Sequence, residues 1–400
     1  MAEPATRARD SALPLAVLVV AVVLVSLNLR PGASSPGPVL AELRDGLGMS
    51  AGVAGVLTGL PGLCFGLAGA FAVRLARRVG MTAGLAIGLV AAASGLLLRV
   101  ATTDEALFLA FTVLALAGMA IGNVLAPAWI KAHGHTVTLM TVYGTGVILG
   151  GAIGSLFTAP VAASGSWRGG LAIWGLLAMT AVPLWVWLAL RERRVPPVEA
   201  PGAPVGAAGR ISRSPTAVAL TVLFGVQSLH AYVQFGWLPQ IYRDAGISAS
   251  AAGALQALVS GVGIVGALVM PTVIARSRNL HAWMVSFGVF LASGYVGLLL
   301  APATLPWLWA LLLGLAGLSF PTSIALITAR TRHPSVTARL SALVQPVGYV
   351  LAAVGPFGVG LLHDATGGWS LVLVLLALTG LPLALAGLRV AGPTYVDDEL

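Results

Sequence analysis

Long apolar runs separated by short polar stretches dominate the chain, and their lengths set the first expectation. About 20 apolar residues are needed to cross the hydrocarbon core of a bilayer. Runs of that order lie at 14–38, 51–73, 82–100, 105–128, 138–161 and 170–190. Six more follow at 215–240, 251–274, 282–301, 306–329, 338–362 and 369–389. The pattern predicts an all-α membrane protein with twelve transmembrane helices. The longest polar interruption, 191–214, is rich in Pro, Gly, Ala and Arg and is expected to be a flexible linker. It separates two six-helix bundles, 14–190 and 215–389, with short tails at 1–13 and 390–400.

Composition agrees: 58% of residues are apolar and only 9% charged, against about a quarter charged in a soluble protein. The net charge of +9 raises nucleic-acid binding as a reading, but the basic residues are scattered between apolar runs and form no basic arm. With the N-terminus inside, they gather in the cytoplasmic segments. Arg44, Arg99, Arg168 and Arg243 fall on the outer side, and Arg30 falls within a span. The positive-inside rule therefore predicts a multi-pass protein of the cell (inner) membrane with both termini cytoplasmic. Arg7 and Arg9 precede the first run with no small-residue cleavage site, so that run reads as an uncleaved span.

Polar side chains within spans must find partners or line a water-filled cavity. In the first span these are Asn28 and Arg30, the latter just before Pro31. A permanent charge there costs at least a few kcal/mol, ~2.5–3.5 on insertion scales, so it is rarely without a task. Asn123 lies in the fourth span and Tyr143 in the fifth. Gln227, His230 and Gln234 occupy one face of the seventh span at i, i+3 and i+7, and Gln345 and Tyr349 share a face of the eleventh at i and i+4. Arg30 either meets substrate or snorkels to the interface. Asn28 either meets substrate or satisfies carbonyls loosened by Pro31. The three glutamines serve as ligands or as interhelical glue, and Tyr232 and Trp237 read as packing or interface aromatics. His230 either carries a proton or is a satisfied neutral histidine.

No carboxylate sits mid-span: every Asp and Glu falls in a tail, a loop or a span end. The site is therefore positive, and an anionic or polar neutral solute is expected. A lone Cys64 excludes a disulfide framework. No phosphate loop, metal-ligand cluster or nucleophile with its base is present, so neither a cofactor, a metal nor an enzymatic activity is expected.

The halves echo each other. Arg44-Asp45 is followed by Ser50-Ala51-Gly52-Val53-Ala54-Gly55, and Arg243-Asp244 by Ser248-Ala249-Ser250-Ala251-Ala252-Gly253. Two parallel six-span repeats around a central site are a transporter architecture. Asn28-Leu29-Arg30-Pro31, Gly37-Pro38-Val39-Leu40, Ile121-Gly122-Asn123-Val124-Leu125-Ala126-Pro127, Trp237-Leu238-Pro239 and Gln345-Pro346-Val347-Gly348-Tyr349 carry a more specific likeness. The chain resembles the cyanate and 2-nitroimidazole transporter family of the major facilitator superfamily.

That resemblance implies the major facilitator fold and alternating-access transport of small planar anions or polar heterocycles. Residue by residue it implies a site of Arg30, Asn28, Asn123, Gln227, Gln345 and Tyr349. The chain departs from the superfamily at Leu75-Ala76-Arg77-Arg78, where an Asp is usual. The reading is a secondary active transporter, functional as a monomer in the bilayer. Because the membrane potential opposes anion entry, a proton is the expected co-substrate, with His230 as its candidate carrier. Efflux of toxic solutes, and a ligand sensor that does not transport, are the alternatives.

Overall fold

The computed structural model describes residues 13–192, 211–277 and 279–400. The tail at 1–12 and the linker between 193 and 210, with the arginines assigned there, lie outside the described residues. Among the described residues eleven helices are long and apolar enough to span a bilayer, and Ala51–Leu67 with Phe71–Val79 supplies a twelfth when taken as one bent span. In chain order the first six spans are Leu15–Leu47, Ala51–Val79, Met81–Ala101, Glu105–His133, Thr136–Ala163 and Trp167–Glu192. The last six are Pro215–Asp244, Ala249–Arg276, His281–Leu300, Pro306–Ala329, Pro334–Thr366 and Ser370–Ala391. They form the two expected six-helix bundles.

Three spans are interrupted. The tenth breaks between Ala316 and Ser319, the twelfth at Thr379, and the first between Leu27 and Leu40. Proline explains the last: Pro31 has no N–H to donate, and it disfavours helical geometry at Arg30, which sits at φ −126° and ψ −31°. Pro36 and Pro38 keep the following turns irregular. The carbonyls this frees are met locally. Asn28 turns its backbone N–H back to Val25 O at 3.1 Å, and its side-chain amide donates to Leu24 O at 2.8 Å.

The internal repeat has a structural meaning. Ser50 Oγ accepts from Val53 N at the start of the second span, and Ser248 Oγ accepts from Ala251 N at the start of the eighth. Each serine caps its helix. One turn on, each glycine lets a helix of the other half approach. A Cβ on Gly55 would lie 2.8 Å from Pro356 O, and one on Gly253 2.5 Å from Ser155 O. The second span thus packs on the eleventh and the eighth on the fifth.

These two seams hold the halves together at the face away from the described chain ends, here the far face. A Cβ on Gly360 would be 2.4 Å from Ala51 O near that face, whereas on Gly66, deeper in, it would stand 3.2 Å from Tyr349 Cβ. In the other seam Gly253 is tight, but a Cβ on Gly263 would just reach Ile148 at 4.0 Å. Val39, Leu40, Leu43, Met49, Ala51, Ala54 and Leu57 even join the buried apolar core of the second half. The halves are fused at the far face and diverge towards the terminal face.

Polar contacts lock the same face. Arg243 on the seventh span grips Glu42 on the first through two hydrogen bonds, 2.6 and 2.7 Å. Asp364 at the end of the eleventh span accepts from Gly52 N, at the start of the second, at 2.8 Å. The four arginines that break the charge asymmetry all have partners: Arg44 Nε donates to Met49 O, Arg168 to Val100 O and Thr102 O, Arg99 to Gly32 O, and Arg243 to Glu42.

At the terminal face the chain's last turn docks on the second bundle. Glu399 accepts from Thr216 N at 2.9 Å, from the Thr216 hydroxyl at 2.8 Å and from Ser214, and so caps the seventh span. Asp397 accepts from Arg332 N and His333 N at the start of the eleventh. Burial pushes both carboxyls up, but these hydrogen bonds, with Arg389 beside Glu399, hold them below the ordinary carboxylate range.

Candidate functional site

Arg30 enters the space between the halves from the break in the first span, and aromatic rings surround it. Its guanidinium carbon lies 5.2 Å from the centroid of Phe65 on the second span, within cation–π reach. The hydroxyls of Tyr232 on the seventh span, Tyr143 on the fifth and Tyr349 on the eleventh lie within electrostatic reach of the guanidinium. Phe65 and Tyr349 each stand 6.5 Å from Tyr232, centroid to centroid, and Phe235 lies 6.5 Å from it on the same helix. Three of these residues come from the first half and three from the second. Among the described residues no carboxylate acts on Arg30.

Glycine makes room for this arrangement. The fifth span carries Gly146, Gly150 and Gly154 along the face that receives the first span, and a Cβ on Gly150 would lie 2.5 Å from Leu27 O. The broken backbone around Arg30 can therefore lie directly against the fifth helix. Close approach of small residues is a common packing device in membranes.

The expected residues divide into three groups. Arg30, Tyr143 and Tyr349 come together. Asn123 joins them at one remove: its amide donates to Met119 O at 3.2 Å, while Tyr143 donates to its Oδ1 at 3.4 Å. Asn28 is buried and bound to Leu24 O, the carbonyl-satisfying alternative. Gln345 donates to Ser341 Oγ at 2.8 Å on its own helix, one turn from Tyr349.

Gln227, His230 and Gln234 share a face as their spacing requires, but that face turns into the second bundle, away from Arg30. With Leu291, Leu313, Ser319 and Leu383 they line a cavity of about 10 Å³, at the lower limit for one water. A directed hydrogen-bond chain runs through them. Gln234 Nε2 donates to Tyr295 at 3.4 Å, and Tyr295 lies 2.9 Å from His230 Nδ1. Thr379 donates to Leu376 O, so at 2.6 Å it accepts from His230 Nε2. His230 thereby ties the seventh, ninth and twelfth spans together. Trp237, which reads as a packing or interface aromatic, is fully buried and donates to Pro356 O at 3.0 Å.

Comparison with known proteins follows the same line. The Major Facilitator Superfamily family model matches residues 22–356. The chain belongs to this superfamily. It is 32% identical over 378 residues to the 2-nitroimidazole transporter of Escherichia coli K12, covering 93% of this chain and 94% of that one. It is 31% identical over 381 residues to the cyanate transport protein CynX of the same strain, covering 94% and 97%. Its fold is similar to the crystal structure of a point mutant of the nucleoside transporter NupG, with a TM-score of 0.76 at 12% identity over 93% of this chain and 99% of that one. The superfamily's small-solute transport is therefore the setting of the Arg30 cage. Within this facilitator, Phe65 and Phe235 are cage residues that sequence reasoning missed, and Tyr232, which reads as packing in the sequence, faces the guanidinium.

Proposed function

We propose that the chain is a secondary transporter that binds a small planar solute between the Arg30 guanidinium and the rings of Phe65, Tyr143, Tyr232 and Tyr349. The observation that carries this reading is a fixed positive charge, free of any neighbouring carboxylate among the described residues, walled by aromatic rings from both halves. The guanidinium suits an anionic or electron-rich edge, which it would meet with charge-assisted hydrogen bonds. The rings suit the faces of a planar π system. A polar heterocycle uses both features, whereas a linear anion such as cyanate uses mainly the first. A site shared by two bundles that are fused on one side is the arrangement alternating access requires.

The charge distribution along the loops supports placing both termini in the cytoplasm of the cell membrane. On that orientation the fused far face is the outer one. An anionic solute would need a co-transported cation to enter against the potential, which costs ~2.3 kcal/mol per charge per 100 mV. His230, bonded at both nitrogens and turned from Arg30, is better suited to holding helices than to carrying that proton.

The test is a ligand screen by thermal shift on the purified protein, followed by flux into proteoliposomes with and without a pH gradient. Planar heterocycles should stabilise the wild type and lose their effect in Arg30→Ala. Binding unchanged by that substitution would remove the guanidinium from the site. Binding without flux would leave a ligand sensor in place of a transporter.

A further inference from the structure

A second arginine, with no carboxylate partner among the described residues, contacts the segment that carries the first. Arg99, in the last turn of the third span, is 0% exposed. A guanidinium keeps its charge in proteins, and leaving a charge unpaired in the interior costs several kcal/mol. Arg99 must therefore have a reason to be there. Among the described residues it forms no ion pair. Nη1 donates to Gly32 O at 3.3 Å, Nη2 to Ser35 Oγ at 3.4 Å, and the Phe108 ring centroid lies 5.9 Å from its guanidinium carbon. Its Nε has no hydrogen-bond partner among the described residues.

Both polar contacts fall on the interrupted segment of the first span, two and five residues beyond Arg30. That segment keeps a single helical turn, Pro31–Ser34, and the Gly32 carbonyl faces the position of Pro36, which has no N–H to donate, so it depends on an outside donor. Arg99 comes from a well-anchored base, since Arg168 of the sixth span donates to Val100 O at 3.2 Å and to Thr102 O at 2.9 Å. The segment is seated closely as well: a Cβ on Gly32 would come within 2.4 Å of Met119 Cε.

We propose that Arg99 is a positioning residue. It grips the broken segment from the first bundle's interior and fixes the backbone from which Arg30 projects into the cage. The planar fork reaches a carbonyl and a hydroxyl at once, which a lysine ammonium on a flexible stem does not match. The proposal rests on Arg30 being the substrate contact only for its functional consequence; the positioning itself is independent of any ligand.

The test reads Arg30 directly. In the full-length protein in nanodiscs, the Arg30 Nε–H signal is assigned by its disappearance in Arg30→Lys, and its chemical shift carries the influence of the Phe65 ring. In Arg99→Met that signal should lose its ring-induced displacement and exchange faster with water, with partial recovery in Arg99→Lys. If Arg99→Met does not fold, Ser35→Ala and Arg99→Lys serve, each removing part of the grip. An Arg30 signal unmoved in a folded Arg99 or Ser35 variant whose melting temperature has fallen would make Arg99 a plain packing element and overturn the proposal. Because no ligand is involved, that failure is distinct from one in which Arg30 proves irrelevant to binding.

Discussion

The far-face lock should set how often the transporter opens on that side. Arg243 and Glu42 meet in a two-point contact, with side chains 21% and 42% exposed. Exposure and salt screening reduce such a pair to about 1 kcal/mol. Glu42→Gln keeps one acceptor oxygen and removes the charge. The ratio of far-face-closed to far-face-open molecules should then fall about fivefold, since 1.4 kcal/mol is a factor of ten. The Asp364 contact with Gly52 N is a charged helix cap, also worth about 1 kcal/mol. Adding Asp364→Asn should bring the shift to about 25- to 30-fold if the two contacts act independently. The assay is pulsed electron resonance between spin labels at Asp45→Cys and Ser250→Cys, exposed positions on opposite halves, with Cys64→Ser as background. A longer distance should gain population in Glu42→Gln and more in the double variant, and raised salt should move the wild type the same way. Distance distributions that stay identical in all three would refute the lock and leave apolar packing alone as the seal.

Other substitutions separate the remaining roles. Tyr232→Phe removes the hydroxyl facing Arg30 but keeps the ring, so ligand affinity should fall by about tenfold or more, since a hydrogen bond to a charged group contributes about 1.5–3 kcal/mol. Equal affinity by titration calorimetry would put Tyr232 outside the site. His230→Leu leaves the Tyr295 and Thr379 hydroxyls without their partner and should destabilise the fold by about 1–3 kcal/mol, while any dependence of flux on a pH gradient persists. Loss of that dependence with an unchanged melting temperature would restore His230 as a proton carrier. Asp397 and Glu399 are held below their unfolded values, so their stabilisation is present above about pH 4 and is lost as pH falls through the folded values. Glu399→Gln should flatten this acid limb of the melting-temperature profile. A limb of unchanged slope would show that the docked turn contributes little.

How legible the protein was differs by feature and for physical reasons. The spans were readable because hydrophobic length is what a bilayer selects. Arg30 was readable because a fixed charge stands out against an apolar run. Phe65 and Phe235 were not, since an aromatic ring among aliphatic residues offers no contrast until its neighbours are known. Spacing placed Gln227, His230 and Gln234 on one face, yet the period of a helix says nothing about which helix that face meets. The seventh span is buried nearly all round, so Tyr232 on its other side was free to meet Arg30. Arg99 reads as one more charge on the outer side because it stands at the end of its apolar run. Its burial depends on the break in another span, which no local pattern records.

Cys64 has a practical consequence. It sits beside Phe65 in the chain, is half-buried, and lies within electrostatic reach of the Tyr232 hydroxyl. The native protein therefore carries a single thiol at the edge of the cage. A solute that fills the cage should slow its alkylation, and one that does not should leave the rate alone. Libraries of unlabelled compounds can be ranked in this way by mass spectrometry on the unmodified protein, without a radiolabel or a prior guess at the cargo.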